Sequence, residues 1–76
     1  MNKTEKVLIH LIEKGSITSW EAILEYGATR LSAIIFNLRK RGMNIETMMV
    51  EFTDRFGDKS RYAKYILKEK NNDNKI

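Results

Sequence analysis

The sequence predicts an α+β fold, with three short helices followed by a small antiparallel β-hairpin. Three observations support this prediction. Apolar residues recur at helical spacing in three segments before Gly42. After Gly42, two runs are rich in β-branched, aromatic and methionine residues, which favours strands. The segment TDRFGD (53–58) separates these runs and predicts a turn, because it contains a glycine and two aspartates.

The first helix is predicted over about residues 3–14. Its aliphatic side chains share one side of a helical wheel: Val7, Leu8, Leu11 and Ile12. His10 falls on the polar side of that wheel, so we expect it at the surface. Ser16 and Ile17 then form a short extended segment, which can pair with the edge of the hairpin as a third strand.

The second helix is predicted from Ser19 to about Tyr26. Thr18 and Glu21 have the spacing of a capping box, in which each side chain satisfies a backbone amide at the start of the helix. Gly27 ends the helix, because glycine adopts the left-handed conformation at little cost. Trp20 and Tyr26 are predicted to lie in the core.

The third helix is predicted to begin after Thr29, which is a candidate N-cap, and to end at Gly42. Its apolar stripe consists of Leu31, Ile34, Ile35 and Leu38. The opposite side carries Ala33, Phe36, Asn37 and Lys40, with Arg30 and Ser32 on the flanks. Two short helices joined by so tight a turn indicate a helix-turn-helix motif.

The hairpin strands are predicted near residues 44–52 and 61–68. Met48, Met49 and Val50 interrupt the apolar–polar alternation, which indicates either two partly covered faces or a bulge. We expect at least one of the two methionines, and one of Tyr62 and Tyr65, in the core. The chain of 76 residues predicts one domain over residues 1–70 and a disordered polar tail over residues 71–76.

Composition argues against several functional classes. Cysteine is absent and His10 is the only histidine, so disulfides and cysteine nucleophiles are excluded and a metal site is not expected. There is no glycine-rich phosphate loop and no nucleophile close to a histidine, so we predict no enzyme activity and no cofactor. No apolar run is long enough to span a bilayer, and no signal peptide is recognisable. These features predict a cytoplasmic protein with no membrane partner.

Charge is distributed unevenly along the chain. Residues 1–29 hold three basic and four acidic side chains, for a net charge of −1. Residues 30–76 hold eleven basic and six acidic side chains, for a net charge of +5. A basic C-terminal half indicates a polyanionic partner such as nucleic acid, although a lysine-rich solvated surface gives the same count.

The order of elements and two sequence segments resemble a known family. SITSWEAILEYGATRLSAIIFNLRKRGMNI and RYAKYIL are similar to the small winged helix-turn-helix domains of bacteriophage and mobile-element proteins. The resemblance covers about residues 4–68. It implies that the third helix enters the major groove of double-stranded DNA while the hairpin, or wing, contacts the backbone. It also implies a bacterial host and a role in transcription control, excision or replication of a mobile element.

The candidate DNA-binding residues lie on the third helix and the wing. Arg39, Lys40 and Arg41 close the helix, where they either contact phosphates or compensate the helix dipole. A second basic group, formed by Arg55, Lys59 and Arg61, lies on the predicted wing. Arg30 and Asn37 have side chains suited to guanine and adenine edges. Thr29, Ser32 and Ala33 complete the predicted DNA-facing set.

Phe36 and Ile34 point to an alternative function. Family members often carry a basic residue where this chain has Ile34. Phe36 lies on the outward side of the wheel, where a thymine methyl contact, a dimer interface or cover by the wing would each explain it. The alternative is therefore a protein-binding module, such as a phage-encoded inhibitor or a homodimer, that docks through Phe36, Met48 and Met49.

Overall fold

The computed structural model describes residues 1–68, so the predicted tail lies outside the described residues. Three helices and three strands follow one another along the chain. Their bounds are α1 Lys3–Lys14, β1 Ser16–Thr18, α2 Ser19–Tyr26, α3 Leu31–Lys40, β2 Ile45–Thr53 and β3 Lys59–Leu67. The predicted fold class is confirmed, with hairpin strands that begin or end within two residues of the expected positions.

Local chemistry fixes the ends of the first two helices. Asn2 and Glu5 form a capping box on α1. Thr18 and Glu21 form the predicted capping box on α2, with the Glu21 carboxylate 2.9 Å from the Thr18 amide nitrogen. Gly27 ends α2 in the left-handed conformation, at φ 66°, as its position predicted.

The sheet has the strand order β1-β3-β2, and both pairings are antiparallel. The register places Ile17 opposite Tyr65 and Ile45 opposite Leu67, which confirms the predicted third strand. Because β1 pairs only with residues 64–66, no strand within residues 1–68 lies beside the edge of β3 from residue 59 to 63 on that side. One further backbone hydrogen bond continues the β1–β3 pairing before the start of β1. In it, the Leu67 amide donates to the Gly15 carbonyl at 2.9 Å.

The core lies between the helices and one face of the sheet. Its largest fully buried side chains are Val7, Leu11, Ile17, Leu31, Ile35 and Leu38. Side chains alternate across a strand, so Ile17, Tyr65 and Leu67 share the face that packs on the helices. The opposite face of the sheet is turned away from the helices, and we call it the outer face.

The prediction that His10 lies at the surface is wrong. His10 is only 6% exposed, and its Nδ1 lies 2.7 Å from the hydroxyl of Tyr26. The buried side of α1 carries Val7, His10 and Leu11, whereas Ile12 is exposed. The helix is thus rotated toward His10, because α2 brings a polar partner to that side. Burial, and secondarily three nearby carboxylates, raise the pKa of Tyr26 above its usual value, which keeps its hydroxyl protonated.

The predictions that Trp20 and at least one of Met48 and Met49 lie in the core are also wrong. Trp20 is 67% exposed at the start of α2, where only Ala22 of that helix is fully buried. Met48 and Met49 are both about half exposed, because this part of the hairpin extends past the helices and neither of its faces is covered. Tyr26 and Tyr65 do pack against the core, and Tyr62 is exposed, as expected for one tyrosine of the pair on β3.

Candidate nucleic-acid interface

The outward side of α3 is free of contacts with the core. Leu31, Ile35 and Leu38 are buried and hold the helix against the domain. The exposed residues of α3 include the four that the wheel placed opposite the stripe, and they are Ser32, Ala33, Phe36, Asn37, Arg39 and Lys40. Ile34 is half-buried and packs against the core. One side of α3 is therefore accessible to a partner along the whole helix.

The predicted cap of α3 is wrong. The helix begins at Leu31, with Arg30 as its N-cap, and no side chain bonds its first amides. Thr29 is one residue too early, because a capping oxygen must belong to the residue that directly precedes the helix. The turn is held instead by Ala28, which is buried and whose amide donates to the Ala22 carbonyl at 3.0 Å. Thr29 and Arg30 are consequently exposed beside the start of the helix.

The three basic residues at the end of α3, Arg39, Lys40 and Arg41, lie in three different environments. Arg39 contacts the start of β2. Its guanidinium donates to the Ile45 carbonyl from Nε at 2.9 Å and from Nη2 at 2.7 Å. Nη2 also donates to the Thr47 hydroxyl at 2.9 Å, and the group lies 6.0 Å from the centre of the Tyr65 ring. Arg39 therefore ties the end of α3 to the start of β2, a role that the sequence did not indicate.

Lys40 and Arg41 point elsewhere. The Lys40 ammonium lies 5.5 Å from the centre of the Phe36 ring, one helical turn earlier on the exposed side. Arg41 lines a cleft of about 410 Å³ between the end of α1 and the ends of β2 and β3. Only Lys40 thus shares the outward side of α3 with Phe36 and Asn37.

The wing turn is built around Asp54. Its carboxylate accepts the amides of Phe56 at 2.9 Å and Asp58 at 3.0 Å, and Gly57 turns the chain at φ 87°. Arg55 is exposed with its guanidinium 4.8 Å from the Phe56 ring centre. These contacts order the tip of the hairpin and present one cation there.

Two further wing cations lie on β3. Lys59 and Arg61 are exposed and alternate in phase with Tyr65, so they continue the helix-side face of the sheet. Arg39 packs on the same Tyr65. The end of α3 and these two cations therefore lie on one side of the sheet.

The three residues of the alternative docking site are not brought together. Met48 and Met49 are neighbours on β2 and thus point to opposite faces of the sheet. Met48 lies on the outer face, in phase with Val50 and Phe52, whereas Met49 lies on the helix-side face. Phe36 is 61% exposed on α3. No single flat surface contains all three side chains.

Two other functional classes find no support in the described part of the chain. Within residues 1–68, no group of three or more histidine, aspartate or glutamate side chains is placed to hold a metal ion. Over the same residues, every helix is too short and too polar to cross a membrane.

Three helices, a three-stranded antiparallel sheet and a projecting hairpin define the winged-helix class of domains. The chain belongs to the winged helix-turn-helix domain family, whose model matches residues 2–70. Membership of this family suggests DNA binding, and domains of this kind are typically not enzymes. Searches of curated proteins and of solved structures gave no match.

Proposed function

We propose that this domain binds double-stranded DNA, with α3 in the major groove and the wing on the phosphate backbone. The observation that carries the proposal is the placement of the exposed side of α3 and the wing cations Lys59 and Arg61 on one side of the sheet. A helix that reads bases needs backbone contacts on a second element to fix its register on the duplex.

Each exposed side chain then has a distinct task. Arg30 and Asn37 are the candidates for guanine and adenine edges, since their side chains form paired hydrogen bonds with those bases. Thr29, Ser32 and Ala33 lie close to the same groove and make smaller contacts. The remaining cations bind phosphates: Lys40, Arg41, Arg55, Lys59 and Arg61. Arg39 holds α3 and β2 in a fixed relation.

We further propose that the protein acts in the cytoplasm of a bacterial host, in transcription control, excision or replication of a phage or mobile element. The support for this role is the resemblance of the helix-turn-helix segment to domains of such proteins. The net charge of +5 on residues 30–76 favours a nucleic-acid partner in any of these roles.

The second candidate function is a protein-binding module, including a homodimer. The observation in its favour is Phe36, whose ring is 61% exposed on the side of α3 that would face DNA. An aromatic side chain of this kind is a frequent anchor in protein interfaces. Because Met48 and Met49 lie on opposite faces of β2, such an interface would use Phe36 with only one of them.

The test is duplex binding, followed by fluorescence anisotropy at several salt concentrations. If each of the five phosphate-binding cations contacts one phosphate, the slope of log affinity against log salt is roughly −4.5. Replacing both Lys59 and Arg61 with alanine should make the slope less steep by about 1.8. No binding at low salt, or a slope near zero, would refute the DNA function.

Phe36→Ala separates the two candidate functions. If DNA is the partner, Phe36→Ala should weaken duplex binding less than the double variant with Lys40→Ala and Arg41→Ala. In a protein complex or homodimer, it should weaken association by more than about 30-fold, the value of a buried aromatic anchor. Duplex affinity and sedimentation velocity, measured on the same variants, decide between them.

A further inference from the structure

A cleft of about 560 Å³ opens beside the edge of β3, between α2 and the outer face of the sheet, and of its lining residues the DNA-binding proposal uses only Arg61. Three aromatic side chains line it: Trp20 from α2, Phe52 from β2 and Tyr62 from β3. Arg61 and Lys64 of β3 also line it. A cleft of this volume is large enough for a nucleotide-sized ligand.

The aromatic rings are accessible. Trp20 is 67% exposed, and Phe52 and Tyr62 are each more than 40% exposed. The Phe52 and Tyr62 rings lie 5.8 Å apart between centres and are tilted by 49°, so they form one continuous surface. Three exposed rings around one cleft exceed the scattered apolar exposure that is normal for a monomer, which points to a ligand.

The charge of the cleft favours an anion. Within residues 1–68, neither Arg61 nor Lys64 forms a salt bridge. Glu21 is the one acidic residue of the lining, and its carboxylate is occupied by the capping box, where it accepts from the amide and hydroxyl of Thr18 at 2.9 and 3.3 Å. Two cations therefore face one carboxylate that is already bonded.

The cleft is also open at one end. Pairing of β1 with β3 stops at Thr18 opposite Lys64, so among the described strands none pairs with the edge of β3 from residue 59 to 63 on that side. Arg61 lines the cleft at this open edge. A chain-like ligand can therefore enter and leave along the edge, with only part of its length in the cleft.

We infer that this cleft binds single-stranded nucleic acid. Roughly one or two bases stack on Trp20, Phe52 and Tyr62, while neighbouring phosphates lie beside Arg61 and Lys64. Aromatic faces combined with cations are the features that single strands require, because every base has a stacking face and every link a charge. The excess of cations favours this ligand over an extended protein segment at the same edge. This cleft shares only Arg61 with the proposed duplex interface, and Trp20, Phe52, Tyr62 and Lys64 belong to the cleft alone.

Trp20 provides a direct readout, because it is the only tryptophan of the chain. Single-stranded oligothymidylate of roughly twelve nucleotides, a length within the usual site sizes, should quench its fluorescence at low salt. Tyr62→Ala should weaken the affinity by about 5- to 100-fold, the value of one stacked base. Lys64→Gln should weaken it and reduce the salt slope by about 0.7.

Phe36→Ala is the matched control, because it removes from α3 an aromatic ring that is more exposed than that of Tyr62. It should leave the affinity for oligothymidylate unchanged. Absence of quenching by folded wild-type protein at low salt would overturn the inference. So would an equal loss of affinity in Phe36→Ala and Tyr62→Ala, or a homodimer that Tyr62→Ala dissociates while oligothymidylate has no effect. Duplex binding is measured separately, so the two proposals fail independently.

Discussion

Arg39→Ala tests whether the first residue of the basic cluster binds DNA or holds the fold together. In wild-type protein the Arg39 guanidinium donates to the Ile45 carbonyl through two nitrogens and to the Thr47 hydroxyl through one. Alanine removes all three hydrogen bonds and the contact with the Tyr65 ring. Lys40→Ala is the control, since Lys40 is the next residue on the same helix and its ammonium lies over the Phe36 ring, 5.5 Å from the ring centre.

The expected loss of stability follows from those contacts. A hydrogen bond from a charged group is worth about 1.5–3 kcal/mol when it is shielded from water. The guanidinium is partly solvated, and water replaces some of what is lost, so we expect a total of about 1–2 kcal/mol. For a domain of this size, that corresponds to a fall in Tm of roughly 4–15 °C. Lys40→Ala should change the free energy of unfolding by less than about 0.5 kcal/mol.

Thermal unfolding followed by far-UV circular dichroism gives the stability, and anisotropy with duplex DNA gives the salt slope. Arg39→Ala should lower Tm and weaken duplex binding with little change of slope. Lys40→Ala should keep Tm and make the slope less steep by about 0.9, the value of one phosphate. If Arg39→Ala instead has the Tm of wild type and changes the salt slope as much as Lys40→Ala does, then Arg39 contacts a phosphate. Its hydrogen bonds to Ile45 and Thr47 would then contribute little to stability.

Two further predictions concern the body of the domain. Thr18→Ala should lower the free energy of unfolding by about 0.5–2 kcal/mol through loss of the α2 cap, and Leu38→Ala by about 2–5 kcal/mol through a cavity beneath α3, both measured in urea. Equal midpoints for these two variants and wild type would contradict the packing of α3. Tyr26→Phe should cost about 1–3 kcal/mol at neutral pH, because it leaves His10 without its partner. The raised pKa of Tyr26 adds stability that is complete below pH 10 and is lost as pH rises through the folded value, so this alkaline loss should be absent in Tyr26→Phe.

The features that the sequence predicted correctly depend on local chemistry. The Thr18–Glu21 capping box and the left-handed Gly27 involve residues no more than five positions from their partners, so their spacing alone specifies the geometry. The buried stripe of α3 was likewise readable, because Leu31, Ile35 and Leu38 meet the core at simple helical spacing.

The wrong predictions concern which side chains are covered by a neighbouring helix or strand. Whether His10 is buried depends on Tyr26, sixteen residues away, and the polarity of histidine gives no hint of that partner. Trp20 was assigned to the core because aromatic residues are commonly buried, yet no element within residues 1–68 packs over its side chain, which is 67% exposed. Sequence periodicity shows which residues share one side of a helix or strand. It does not show how far the neighbouring helices and strands extend over that side.

The residues of the candidate site were likewise predicted only in part from the sequence. The exposed side of α3 and the wing cations could be named from the sequence, because solvated residues alternate with core residues in a regular pattern. The division of Arg39, Lys40 and Arg41 among three environments could not, because it depends on where β2 begins relative to the end of α3. The cleft was also missed, since it combines residues from α2, β2 and β3.

The central strand of the sheet, β3, is the last of the elements within residues 1–68, and this order affects how the domain folds during synthesis. Helices and the hairpin form from nearby residues within microseconds, but β1 has no partner until β3 exists. At ordinary rates of translation, Leu67 is synthesised roughly 3 to 10 seconds after Gly15, the residue to which its amide bonds. During that interval the apolar sides of the three helices lack the sheet that covers them. The sheet therefore covers the helices only after β3 has left the ribosome.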